Sequence, residues 1–267
     1  MPFANAHGAT IHYTVEGGGR ETLVLVMGLG GHASEWGGAF VADLAADYRV
    51  VCLDNRGIGQ SQTTVNTWSM QDMANDVLAV LDALALSKVH LAGTSMGGMV
   101  AQLVAAEHPA RVSKLVLMST SHGGRESIPP EARVIGVLGP QPGLSIGEQR
   151  RLGLRALTSD TFADDHAELV EQLVAERERS PTPGRVFKVQ LEAIGLSDRS
   201  QIVSKIHCPT LILHGDLDPL VPVANGRMLA ARIPNAQLIV LEGCGHIPHL
   251  EKPVETAKAI REFLGHG

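Results

Sequence analysis

Apolar residues alternate between two textures along this chain. Short aliphatic runs recur at 21–27, 49–53, 88–92, 114–118, 209–214 and 236–241. Runs of this length, bounded by glycine or charge, read as strands covered on both faces. Between them, apolar residues recur at helical spacing. Residues 69–86 carry Val77, Leu78, Val80, Leu81 and Leu84 on one face. Residues 98–107 are rich in Ala, Met, Leu and Gln, and further helices are expected over 226–232 and 251–264. His108-Pro109 stops the helix before it, because proline disfavours helical geometry in the preceding residue. Pro253 falls in the first turn of the last helix, where proline is tolerated. An early strand, Ala9–Val15, pairs with residues 2–7 and ends at Gly17-Gly18-Gly19. This alternation predicts an α/β fold with a largely parallel sheet.

Over residues 121–205 the strand-like runs vanish and charge becomes denser. Ser145–Leu157, Asp164–Arg179 and Arg185–Leu196 have amphipathic spacing, and Pro129-Pro130, Pro140, Pro142, Pro181 and Pro183 punctuate the stretch. The pattern predicts an insertion of about four helices between two sheet strands. The expected organisation is a core made of residues 1–120 and 206–267, with a helical cap over 121–205. Such an insertion beside a catalytic face is expected to act as a lid that shapes a pocket and excludes water.

Composition removes several classes of function. The chain has 267 residues, 44% of them hydrophobic, which is enough for one large α/β domain. A net charge of −6 argues against a nucleic-acid surface. No apolar run reaches the roughly 18 residues needed to span a membrane. Residues Met1–His7 have neither a basic start nor an apolar stretch, so no signal peptide is expected. Three cysteines, an odd number at unrelated spacings, point to a reducing, cytoplasmic compartment without a disulfide framework.

In parallel sheets, functional groups gather beyond the carboxyl ends of the strands. Four candidates fall there: the loop at Gly28–Gly30, Ser95, the acids Asp216 and Asp218, and His246. Ser95 lies in Gly93-Thr94-Ser95-Met96-Gly97, between a strand and a helix, which is the pattern of a nucleophile elbow. Side chains at 93 and 97 would strike the neighbouring strand and helix. The Met96 amide falls at a helix N-terminus, where free N–H groups and the dipole favour negative charge. A neutral serine needs a base, and the base needs a carboxylate to orient it. The loop Gly28-Leu29-Gly30-Gly31 has a rival reading, because Gly28-x-Gly30-x-x-Ala33 followed by Asp54 fits a dinucleotide fingerprint. Gly37-Gly38 would break the helix that reading requires, Asp54 runs into the turn-rich stretch Asn55–Ser61, and Ser95 would be left unexplained. An oxyanion loop, with the Leu29 amide directed into the site, is the preferred reading. Cys244, His246 and His249 could serve as metal ligands, but no further partner stands at suitable spacing, and no metal is expected.

Five stretches together resemble an α/β-hydrolase with a helical cap, and the resemblance covers the whole chain. They are Val26-Met27-Gly28-Leu29-Gly30, Asp54–Ser61, Gly93–Gly98, His214–Pro222 and Gly243-Cys244-Gly245-His246. Within that superfamily the chain is similar to small cytosolic carboxylesterases and to enol-lactone hydrolases of aromatic catabolism. It departs from the usual pattern at Met27-Gly28, where His-Gly is common, and at Thr94, where the elbow often has histidine. The resemblance implies Ser95 as nucleophile, His246 as base and Asp218 as the orienting acid. Asp218 is selected by the Gly-x-x-Asp pattern after Gly215, with Asp216 capping the turn and His249 only packing. It further implies oxyanion donors at the Leu29 and Met96 amides, no cofactor, and a small ester or lactone as substrate. It leaves a homodimer formed through the cap open. Met27, Gly28 and Trp36 are expected to line the pocket, with Met96 and Met99 beside them. Other readings stay open: a carbon–carbon bond hydrolase or a cofactor-free perhydrolase on the same three residues, and a ligand receptor that turns over slowly.

Overall fold

The structure, a computed structural model, describes residues 2–139 and 141–265. Met1, at the amino terminus, and Pro140, among the punctuating prolines, lie outside the described residues. In chain order the elements are β1 (Phe3–Ala6), β2 (Ala9–Glu16), β3 (Thr22–Val26), α1 (Gly38–Ala45), β4 (Arg49–Leu53), β5 (Gln62–Thr63), α2 (Met70–Ala83), β6 (Val89–Thr94), α3 (Met96–Glu107) and β7 (Val112–Met118). There follow α4 (Ala132–Leu138), α5 (Ile146–Leu157), α6 (Phe162–Asp165), α7 (Ala167–Arg179) and α8 (Gly184–Leu196). The chain closes with β8 (Thr210–Gly215), α9 (Ala224–Arg232), β9 (Ala236–Leu241), α10 (Pro248–Glu251) and α11 (Pro253–Gly265).

The described strands form one sheet in the order β1-β2-β4-β3-β6-β7-β8-β9, with β5 pairing on β2. From β4 to β9 every pairing is parallel, and the antiparallel pairings are those of β2 with β1, β4 and β5. The aliphatic runs are therefore central strands, with successive side chains sent to opposite faces. In β3, Val24 and Val26 join one core while Leu23 and Leu25 join the other. In β7, Leu115 and Leu117 part in the same way from Val116 and Met118. One face is covered by α2 and α3, the other by Phe40, Val41 and Leu44 of α1 and Ala257, Ile260 and Leu264 of α11.

Local chemistry sets the helix boundaries. Ser69 caps α2 in a reciprocal box: its hydroxyl accepts from the Asp72 amide, and the Asp72 carboxylate accepts from the Ser69 amide at 2.8 Å. The helix expected over 251–264 is α11, which starts at Pro253 and is preceded by the short α10. Lys252, which precedes Pro253, is driven out of helical geometry to φ −137°, ψ 58°, so α10 ends before α11 begins.

Between β7 and β8 the described residues hold five helices, α4 to α8, rather than four. The short α6, four residues long, gave no periodicity to read. These helices do not form one separate body. Leu154, Phe162, Val170, Leu173 and Val174 of α5 to α7 make a small cluster with Leu250. By contrast, Val186, Val189 and Ala193 of α8 are part of the main core beneath the sheet. No described helix is long and apolar enough to cross a membrane.

Candidate active site

The turn between β6 and α3 holds Ser95 at φ 52°, ψ −121°, a conformation that few L-residues adopt. The corner is fixed on both sides. The Ser95 amide donates to the Met118 carbonyl at 2.9 Å, and the Ser95 carbonyl accepts from the Thr120 hydroxyl at 2.7 Å. A Cβ on Gly97 would run into the carbonyl of Val26, and one on Gly93 into that of Gly97, so the turn can close only with glycine at both places. As the first residue of α3, Met96 has an amide without an intrahelical acceptor.

Directly after β3, residues 28–31 pass beside this corner. A Cβ on Gly28 would stand 3.1 Å from the Ser95 Cβ and 3.7 Å from its Oγ. The Gly31 amide donates to the Gly28 carbonyl at 3.2 Å and closes the turn. Among the described residues the Leu29 amide has no acceptor, whereas the Gly30 amide donates to Gln190.

The loop after β8 carries Asp218, which is buried. Its Oδ1 accepts from the amides of Leu220 (3.0 Å) and Val221 (2.8 Å). Its Oδ2 faces His246 Nδ1 at 2.8 Å and His214 Nε2 at 3.4 Å. Burial alone would raise the pKa of Asp218. The His246 charge and the bonds from His214 and His246 outweigh it and hold the carboxyl at about 2. Asp216 is exposed, and its side chain accepts from the Cys244 amide at 3.3 Å, bracing the adjacent loop. The loop after β9 presents His246. Glu251 grips that loop by accepting from the amides of Gly245 (2.9 Å) and Ile247 (3.0 Å), while the His246 amide donates to Leu157 at the end of α5 (2.7 Å).

Ser95 and His246 open onto one cavity of about 280 Å³, which Met27, Gly28 and Leu29 also line. Trp36 does not line it. Its ring is fully buried below, stacked on Phe40 at 5.9 Å and tilted against His249 at 4.7 Å. The turn Ala33–Trp36 directs the indole into the core between α1 and α10, away from the catalytic edge. Met96 and Met99 likewise belong to the main core and not to the cavity wall. His249 reaches the cavity as well as packing on Trp36. Burial, reinforced by the His246 charge, pushes its pKa down to about 3, so it is a neutral ring.

A charged cluster in the cavity wall has no counterpart in the sequence reading. Glu35 is buried, and each of its oxygens takes one guanidinium. Oε2 accepts from Arg150 Nη2 at 2.7 Å, and Oε1 accepts from Arg177 Nη2. Burial would raise the Glu35 pKa, but the two arginines outweigh it and keep the carboxylate ionised. His214 at the acid was also missed. The signal was the histidine that ends the β8 run, directly before Gly215.

An elbow serine, a buried Asp–His pair and a glycine loop at the carboxyl edge of a parallel sheet define a hydrolase of the α/β class. The family model described as alpha/beta hydrolase fold matches residues 21–253, and the chain belongs to that family. A 2-hydroxy-6-oxononadienedioate/2-hydroxy-6-oxononatrienedioate hydrolase of Paraburkholderia phymatum is 32% identical, over 96% of this chain and 91% of its own length. The crystal structure of the enol-lactonase from Burkholderia xenovorans superposes with a TM-score of 0.86 at 25% identity, covering 99% of this chain and 100% of that one. An esterase from a Rhodococcus species superposes with a TM-score of 0.84 at 27% identity, covering 100% and 99%.

Proposed function

We propose that this protein is a serine hydrolase that cleaves a carboxylic ester or lactone through an acyl-enzyme. The observation that carries the reading is the placement of Ser95 and the Asp218–His246 pair on one cavity, beside the Gly28–Gly31 turn. Ser95 Oγ attacks the carbonyl carbon, and His246 Nε2 takes the serine proton. Asp218 accepts from Nδ1, which fixes the tautomer and stabilises the imidazolium. The amides of Leu29 and Met96 receive the charge that develops on the carbonyl oxygen, where one such donor is worth about 3 kcal/mol. When the tetrahedral adduct collapses, His246 returns its proton to the leaving oxygen. A water activated by the same imidazole then releases the acid and restores Ser95. The insertion between β7 and β8, whose residues Val137, Leu138 and Phe187 line the cavity, serves as the lid.

The relative from Paraburkholderia supports a second reading, cleavage of a carbon–carbon bond on the same residues. The wall of the cavity favours the ester. Glu35 takes one N–H from each of Arg150 and Arg177 and offsets part of their charge, so a substrate carboxylate would meet their remaining N–H groups beside an internal carboxylate. An uncharged acyl group then fits better than a carboxylated one.

The test is a panel of neutral p-nitrophenyl esters and lactones set beside a carboxylated p-nitrophenyl ester and a 2-hydroxy-6-oxo-dienoate. The neutral esters should lead in kcat/KM by roughly 10-fold or more, since misplacing one buried charge costs at least that much. Glu35→Gln should narrow the gap by freeing the guanidiniums. Faster turnover of the dienoate by the unaltered protein would overturn the assignment in favour of the carbon–carbon reaction.

A further inference from the structure

The oxyanion loop is held from two directions. Its stem is tied to the core. Asn55 Nδ2 donates to the Met27 carbonyl at 2.9 Å, and Asp54 Oδ1 accepts from the Ala33 amide at 2.9 Å. Its crest is tied to the insertion. The Gly30 amide donates to Gln190 Oε1 at 2.9 Å, and the Gly30 carbonyl accepts from the Thr182 hydroxyl at 2.7 Å. Gly30 has φ +66°, and a Cβ there would lie 3.2 Å from the Phe187 ring, so α8 also packs directly on the crest.

These contacts fix the peptide planes around Leu29. Gln190 sets the plane between Leu29 and Gly30, Thr182 sets the plane between Gly30 and Gly31, and the Gly31 amide closes back on the Gly28 carbonyl. The Leu29 amide, like that of Gly28, is left without an acceptor among the described residues of the turn. A donor serves an oxyanion only when it is aimed before the charge develops. Gln190 is fully buried, and α8 is anchored in the main core through Val186, Val189 and Ala193. It is therefore a fixed support.

We infer that Gln190 and Thr182 are positioning residues for the oxyanion hole, and that α8 is a strut of the catalytic centre as well as part of its cover. The inference rests on the proposed reading of Ser95 and Leu29. It divides the insertion by role: α8 and Thr182 just before it aim the Leu29 amide, while α5 and α7 carry the arginines that pair with Glu35.

Three variants separate aiming from mere stability. Gln190→Met keeps the length of the side chain and removes the acceptor. Thr182→Val removes the hydroxyl, and Thr182→Ser retains it. For each, kcat and KM on a short p-nitrophenyl ester are measured per site titrated with a fluorophosphonate, so that misfolded protein does not count. Inhibition by a trifluoromethyl ketone, which forms a tetrahedral adduct on serine, is measured alongside. Gln190→Met should lower kcat about 10- to 100-fold while KM moves less than about 3-fold, and should weaken the ketone in proportion, a fraction of what deleting a donor outright costs. Thr182→Val should do the same more mildly, and Thr182→Ser should restore the native values. Native kcat and native ketone affinity per titrated site in Gln190→Met and Thr182→Val would overturn the inference. If Gln190→Met does not fold, the contrast between Thr182→Val and Thr182→Ser decides it. Ser95→Ala, run in parallel, keeps the two failures apart. Turnover surviving in Ser95→Ala overturns the underlying reading, whereas loss there with native Gln190→Met overturns only the strut.

Discussion

Asp218 is held on both oxygens, with two amides on one and the His246 imidazole on the other. With its pKa held at about 2, it stays ionised at any pH where hydrolysis is assayed. Asp218→Asn preserves the shape but offers His246 a donor or a weaker acceptor. It should lower kcat on the order of 10⁴-fold with KM little changed, as steady-state kinetics on a p-nitrophenyl ester will read. Asp216→Asn should stay within a few fold of native, since that carboxylate accepts only from a loop amide. The residues proposed for catalysis could be singled out in the sequence because each sits in a short pattern tied to a strand end. Trp36 was not, because a large ring near a catalytic edge can turn up to a pocket or down to the core with the same sequence neighbours. Glu35 was invisible for a different reason. Its partners lie 115 and 142 residues away, so nothing local marks it as buried.

At the scale of elements, the elbow is a close approach of backbone to backbone. Gly97→Ala would place a methyl against the Val26 and Met27 carbonyls, where no flexible side chain can yield. The end of β3 and the Gly28–Gly31 turn would have to move. We expect a loss of about 1–3 kcal/mol in denaturant unfolding, together with a fall in kcat larger than that of a surface Gly→Ala change at Gly195, where the space is open. Equal kinetics in the two variants would contradict the geometry. The aliphatic strands and the long amphipathic helices could be read directly, since their periods of two and 3.6 are imposed by burial. The two-residue β5, the four-residue α6 and the break at Lys252 could not. Elements that short carry no period, and the break needed the proline rule to be set against a continuous apolar face.

Across the whole molecule, several imidazoles are buried uncharged, and this links stability to pH. His249 is the extreme case, with a pKa pushed down to about 3 by burial first and the His246 charge second. His32, His90 and His122 are shifted in the same direction by burial. An unfolded histidine titrates near ~6.5. Below that pH the unfolded chain takes up protons that the folded His249 refuses until about pH 3. Stability is therefore full above ~6.5 and falls as pH drops toward 3. His249→Leu should be less steeply destabilised than the native protein between about pH 7 and about pH 5, by up to about 2 kcal/mol over that interval in urea unfolding. Parallel losses in both proteins would show that His249 is charged in the folded state. The insertion is where sequence reading reached least far at this scale. Its helices carried a helical period, but α8 docks in the main core while α5 to α7 pack on one another, and an amphipathic face does not say which surface it meets.

The central claim is that Ser95 becomes acylated in a cavity where His246 and Asp218 drive both halves of the reaction. Stopped-flow hydrolysis of p-nitrophenyl butyrate, with native protein and Ser95→Ala side by side, tests it directly. The account predicts a burst of nitrophenol equal to the enzyme concentration, then a slower linear phase, with both absent in Ser95→Ala. Turnover that persists in folded Ser95→Ala, or folded native protein that releases no nitrophenol at all, would contradict it.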